Sequence, residues 1–151
     1  MEIIIDIRAI LLSFLLQNPF EVGPDQINID DLQCMTMNIY HEARGEPVQG
    51  QIAVGNVVIN RVDDPAYPNT VCGVIYQNKQ FSWYSDGKPD TIHYKGAFKE
   101  AAELSLMLLA GYIDDNTDGA LHYYNPNEAS PKWANTYDYR IVYANHIFLI
   151  N

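Results

Sequence analysis

The stretch Leu32-Gln-Cys-Met-Thr-Met-Asn-Ile-Tyr-His-Glu-Ala-Arg-Gly-Glu-Pro47 places Leu32, Met35, Ile39 and Ala43 within one arc of a 3.6-residue period. This spacing predicts a helix from Leu32 to Arg44, capped by Asp30 or Asp31 and closed by Gly45 as its C′ residue. Glu42 falls three residues past Ile39 and seven past Met35, so it shares the core-facing stripe. It also stands in the last turn, where the helix dipole disfavours negative charge. Desolvation and the dipole each raise a carboxyl pKa, and a protonated carboxyl beside a cleft is a general acid. The competing reading is a surface Glu on a slightly rotated helix, paired with Arg44 or Arg61. Glu46 follows four residues on, but Gly45 and Pro47 break the helix between them, so no Glu42–Glu46 dyad is expected. His41 points about 100° away from Glu42 on the helix.

Outward from this stretch, Pro47 suits the first turn of a second helix running to about Val62. Its apolar residues cover nearly the whole circumference, so it is expected to be buried on most sides. Asn56 and Asn60 form its one polar stripe and must find partners or face a cleft. Pro65 to Asn69 reads as a turn, and Val71 to Tyr76 is too short to assign. Gln77 to Tyr94 has no period and reads as a long irregular loop, a kind that is usually functional in compact domains. A helix is predicted over Gly96 to Ala110, with Phe98, Ala101, Ala102, Ser105 and Leu109 on one face. Leu121 to Tyr124, Tyr139 to Tyr143 and Ile147 to Ile150 read as strands, the last two as a hairpin around Ala144-Asn145.

Toward the N-terminus, Met1 to Leu16 is apolar but carries Glu2, Asp6 and Arg8. It reads as a helix docked on the domain, followed by a linker over Asn18 to Gln26. The expected division is residues 1–30 as apolar helix and linker and 31–151 as the main domain. A secretory signal wants a basic start and a small-residue cleavage site, and neither is found here. The expectation is a protein made in the cytoplasm and released by lysis or another route, with an N-terminal signal-anchor as the alternative.

The 151 residues are 48% hydrophobic and 19% charged, ordinary for one globular domain and against a disordered chain. No run approaches the roughly 20 apolar residues of a spanning helix. Nine Lys and Arg against 19 Asp and Glu give a formal charge of −10, which disfavours nucleic acid as a partner. Eleven Tyr suit a sugar or peptide groove, and equally strands and half-buried loops. Cys34 and Cys72 form no Cys-x-x-Cys pair and are expected as two small buried thiols. His93, His122 and His146 have no metal-ligand spacing, and neither a nucleophile elbow nor a phosphate loop is present.

The run Tyr40-His41-Glu42-Ala43-Arg44-Gly45-Glu46-Pro47, with Gly50 to Val54 and Val58 to Val62, resembles the SleB-type cell wall hydrolase family. These are the spore cortex-lytic enzymes and their phage and bacterial relatives. Tyr67 to Val71, Gln80 to Trp83, Ala120 to Pro126, Trp133 and Asn145 to Phe148 extend the resemblance, in family order, over roughly residues 32 to 150. It implies an α+β, lysozyme-like fold, mainly helical with a small C-terminal antiparallel sheet. It implies cleavage of the glycan strands of peptidoglycan, with Glu42 as the acid of the Y-x-E-A-R-G-E motif. No cofactor, no metal and a monomer are expected. No added wall-binding repeat is seen, so wall affinity is expected from the catalytic domain.

Glycoside hydrolysis usually takes two carboxylates, whereas a lytic transglycosylase needs one. Only Glu42 has a strong claim, which favours transglycosylation at the MurNAc–GlcNAc bond, with Asp86 and Asp118 as second carboxylates for a hydrolytic muramidase instead. Gln80, Phe81, Ser82 and Trp83 are expected to floor the groove, with Tyr123, Tyr124 and Asn125 opposite. A non-catalytic peptidoglycan-binding or virion structural protein, or a toxin relying on a partner, is the alternative of a different class.

Overall fold

The computed structural model describes residues 6–20, 22–23, 25–77 and 92–150. The expected groove floor Gln80, Phe81, Ser82 and Trp83, and Asp86 with it, lies outside the described residues.

Helix α1 (Ile7–Gln17) is capped by Asp6, whose carboxylate accepts from the Ala9 N–H. It buries Ile7, Leu11 and Leu15, one residue per turn, against the next helix. The docked N-terminal helix is therefore found.

Helix α2 (Ile29–Ala43) begins earlier than its apolar stripe suggests, because Asn28 is the cap. The Asn28 side chain accepts from the N–H groups of Asp30 and Asp31, at 2.8 and 3.3 Å. The two aspartates instead occupy the first turn, where the dipole favours them. Leu32, Met35, Ile39 and Ala43 are buried as expected, but so are Cys34, Thr36, Met37, Asn38 and Tyr40. The cause is position: α1, α3, α4 and α5 all pack against α2. It is the axle of the helical lobe.

Helix α3 (Val48–Asp63) follows at once, and helix α4 (Val71–Tyr76) is started by Thr70, which accepts from the Gly73 N–H. Gly55 lets α3 lie close to its neighbours, since a Cβ there would come within 2.5 Å of Leu108 and 3.3 Å of Ile39. Cys34 and Cys72 are joined in a disulfide, which corrects the expectation of two thiols. Val71 to Tyr76 forms a helix, and its packing on α2 brings the two Cα atoms to 5.4 Å, inside the usual range for a bridge.

Helix α5 (Lys95–Leu109) carries the buried face expected for it, Leu109 being half-buried, and ends at Gly111. Its N-cap, Tyr94, supplies no side-chain cap. The buried Tyr40 hydroxyl accepts the N–H groups of His93 and Tyr94 instead, at 3.0 and 3.1 Å. Asn56 and Asn60 find partners rather than a cleft. Asn56 donates to the Asp114 carbonyl and the Asn116 side chain, and Asn60 to Asp115, Thr117 and the Ala120 carbonyl.

Strands β1 (His122–Tyr124), β2 (Tyr139–Tyr143) and β3 (His146–Ile150) form an antiparallel sheet in the order β1-β3-β2. The expected hairpin is present, with Tyr143 opposite His146. Central β3 is almost wholly buried, as a strand flanked on both sides and covered by a helix must be. Phe148 and Ile150 meet Ala43, Ala53, Val54 and Val57 in a second small core. Tyr123 packs against both cores, so it stands on the seam between the helical lobe and the sheet. The α+β, mainly helical architecture is as expected.

Candidate active site

Gly45 adopts φ +82°, a region that a side chain resists, and the Glu46 N–H closes the turn on the Ala43 carbonyl at 3.1 Å. The chain thus leaves α2 and enters α3 within a few residues. Four polar side chains crowd this corner: His41, Glu42, Arg44 and Glu46.

Glu42 is half-buried in the last turn of α2, with no basic residue but His41 beside it in that turn. Its charge reaches Tyr123, at the seam. Burial first, and then the charge of Glu42, push the Tyr123 phenol well above its usual range; Glu46 adds to this and Arg61 opposes it. Tyr123 therefore stays a neutral hydroxyl at any working pH, able to donate a hydrogen bond toward a charged oxygen.

Glu46 turns inward. Its carboxylate meets His146 Nδ1 at 2.9 Å and accepts the Asn145 N–H at 3.2 Å, and both side chains are under a tenth exposed. Its carbonyl accepts from Gln51 at 2.9 Å. The His146 ring stands edge-on to Tyr123, centroids 5.2 Å apart. Glu46 thus pins the β2–β3 hairpin to the α2–α3 corner and backs the ring that faces Glu42. In the sequence Glu46 stands across a helix break from Glu42, and His146 has no metal-ligand spacing to mark it. The two are 100 residues apart, and no local pattern links them.

Arg44 lays its guanidinium over two rings, 5.1 Å from the Tyr40 centroid and 5.3 Å from that of Tyr94. Arg61 is buried; its Nε donates to the Leu121 carbonyl at 2.7 Å, and it lies over Tyr67. Burial first, then Arg61, push the His122 imidazole below its ordinary value, so it is neutral near pH 7.

The expected wall of Tyr123, Tyr124 and Asn125 divides, because successive strand residues face opposite ways. Tyr123 turns to His146 and Phe148, while Tyr124 lies beside Trp133, which in turn meets His122 and Tyr137. Asn125 spends its side-chain oxygen on the Asn127 N–H in a turn. Asp118 is an exposed turn residue at φ +53°, in a small pocket with Leu121, His122 and Tyr137 rather than with Glu42. Among the described residues no His, Cys, Asp and Glu cluster suited to a metal ion occurs.

The family model described as Cell Wall Hydrolase matches residues 45–149, more than two-thirds of the chain. The chain belongs to the cell wall hydrolase family. Glu42 stands three residues before the matched range. The chain is 37% identical over 132 residues to the spore cortex-lytic enzyme of Bacillus cereus, covering 87% of itself and 49% of that protein. It is 34% identical over 110 residues to that of Bacillus subtilis, covering 73% of itself and 34% of the relative. The chain thus spans about half or less of the length of these full-length relatives. Among solved structures it is similar to the catalytic domain of the germination-specific lytic transglycosylase SleB from Bacillus anthracis. That likeness has a TM-score of 0.66 at 37% identity, over 83% of this chain and 98% of the other. The Bacillus cereus SleB catalytic domain matches at 35% identity with the same TM-score, over 83% and 94%.

Proposed function

We propose that this chain cleaves the glycan strands of peptidoglycan at the MurNAc–GlcNAc bond as a lytic transglycosylase, with Glu42 as the catalytic residue. The observation that carries the reading is the setting of Glu42. It is a half-buried carboxyl in the last turn of α2, whose charge reaches a neutral Tyr123 at the seam of the two lobes. Family membership, and the likeness to the catalytic domain of a germination-specific lytic transglycosylase, support the substrate and the reaction type.

In this mechanism the Glu42 carboxyl gives its proton to the glycosidic oxygen as the bond from C1 breaks. The muramic 6-hydroxyl then closes on C1 while the Glu42 carboxylate takes up its proton. A 1,6-anhydro product leaves and the acid is restored, with no water consumed. A hydrolase would need a second carboxylate to hold water or attack. Glu46 is committed to His146 and Asn145, and Asp118 opens onto another pocket, which favours the one-carboxylate route.

Residues 31–151 form the catalytic unit in this reading, with residues 1–30 as an accessory helix and linker. Substrate contacts are assigned to Tyr123, Tyr124 and Asn125 on the sheet side, with Gln80, Phe81, Ser82 and Trp83 as further substrate-binding residues. The protein acts as a monomer without a cofactor. No described helix is long and apolar enough to cross a membrane. The Cys34–Cys72 disulfide suits work in an oxidising space such as the wall. The test is Glu42→Gln, assayed by clearing of a wall suspension beside a melting curve. A folded, inactive variant is expected; clearing at the wild-type rate would remove Glu42 from the mechanism.

A further inference from the structure

Beyond the acid itself, an open pocket of about 530 Å³ lies where α2 ends against α5, lined by Arg44, Gly45, Tyr94, Gly96 and Ala97. Among the described residues that line it, Arg44 alone is charged. That guanidinium lies over the Tyr40 and Tyr94 rings, and the Tyr40 ring is itself fixed, buried and bonded through its hydroxyl to two backbone N–H groups. A ring beneath a cation takes up none of its N–H groups in a conventional hydrogen bond, so those donors stay available to an anion. No carboxylate among the described residues pairs with Arg44, in a chain where 19 Asp and Glu outnumber nine Lys and Arg. The two glycines leave the walls bare, for a Cβ at either would meet nothing within 4 Å. Gly45 is needed for its positive φ, but Gly96 has no such backbone requirement and sits in the first turn of a helix. Most other residues would favour that helix more than glycine does. What Gly96 provides is space.

We infer that this pocket is a subsite for a carboxylate carried on the lactyl arm of a muramic acid residue, read by Arg44. The inference rests on the proposed glycan substrate and extends it. Along such a strand the sugars themselves are neutral, and the anions hang from the lactyl arm of muramic acid. They are either its own carboxylate or, where a peptide is attached, the carboxylates of that peptide. Arg44 is the C-cap of α2 and its Cα lies two residues from that of Glu42, at most about 7.6 Å away, so a strand bound at the acid passes close to Arg44. The planar donor edge of arginine suits a carboxylate, with two parallel hydrogen bonds.

The test uses GlcNAc–MurNAc disaccharides, which lack the MurNAc–GlcNAc bond assigned to Glu42. Binding is thus read independently of cleavage. Three probes are titrated by NMR: the free lactyl acid, its methylamide, and a tripeptide-bearing form. The proteins are wild type, Arg44→Gln and Gly96→Leu, the last filling the pocket from a position where its Cβ meets nothing. The free acid or the tripeptide form should bind wild type at least about tenfold more tightly than the methylamide. Both variants should lose that advantage while keeping wild-type melting temperatures and methylamide affinity. Preference for the free acid assigns the lactyl carboxylate as ligand, and preference for the tripeptide form assigns the peptide's carboxylates. Equal binding of all three probes, no binding of any, or an advantage that survives in both folded variants would overturn the inference. Glu42→Gln should bind all probes as wild type does, so an error about the acid would leave this result intact.

Discussion

The two ends of α2 are built on opposite terms. At the N-terminal end a side chain caps the free N–H groups, two aspartates sit where the dipole welcomes them, and a disulfide ties the second turn to α4. At the C-terminal end a carboxyl stands where the dipole opposes it, half-buried, with Gly45 forcing an abrupt turn. The first end obeys the local rules of helix stability. The second breaks them in one place, and such breaks are expected where a site is held under strain for function. With Glu42 as the proposed acid, the contrast separates stability from chemistry along one helix by about four turns.

Substitutions at each end can break or sharpen that contrast. The largest effect is expected from Glu42→Gln, which should cut glycan cleavage ~10²–10⁴-fold. Its melting temperature should stay near that of wild type, because the amide keeps the size and shape of the carboxyl. Next, His146→Ala strips Glu46 of its buried partner and should cost about 3 kcal/mol in urea unfolding. If stability were unchanged, Glu46 would be free for chemistry and the one-carboxylate account would weaken. Opening the Cys34–Cys72 bridge, by Cys34→Ser with Cys72→Ser, should cost roughly 2–4 kcal/mol and leave the turnover of the folded fraction alone. A turnover defect in that variant would show that the two ends are coupled after all.

The smallest effect concerns the loop that receives Asn60. Burial raises the Asp115 carboxyl, but hydrogen bonds from Thr117, Gly119 and Asn60 outweigh it and hold the group below its ordinary value. Its folded-state pKa being lowered, Asp115 contributes stability above about pH 4 and loses it as pH falls through the folded value. Asp115→Asn should therefore cost about 1 kcal/mol at neutral pH, given its solvent exposure, and flatten the acid limb of a stability–pH curve. A curve superimposable on wild type would deny Asp115 that role.

What the sequence made legible follows from how local each cause is. The half-buried place of Glu42 was visible because Met35, Ile39 and Ala43 share its face on a regular period. The unmet need of Asn56 and Asn60 was visible for the same reason, although their partners around residues 114–120 were not. The disulfide was hidden because Val71 to Tyr76 carries too little pattern to reveal a helix, and only that helix brings Cys72 to Cys34. The Glu46–His146 pair depends on a hairpin closing 100 residues later. Nothing within a window of sequence announces such a meeting. Tyr123 and Tyr124 were grouped as one wall, and strand alternation sends them to different neighbours. The Asn28 cap was missed because the stripe was read from Leu32, and Ile29 to Asp31 had no apolar claim beyond Ile29.

The central claim is that one carboxylate, at the ill-favoured end of α2, performs the whole reaction. Mass spectrometry of purified sacculi digested with this protein tests it most directly. Glycan fragments ending in 1,6-anhydromuramic acid, with no water added at the cleaved bond, are the expected result. Reducing-end fragments heavier by one water, about 18 mass units, would show that a second group delivers water to C1 and would contradict the account.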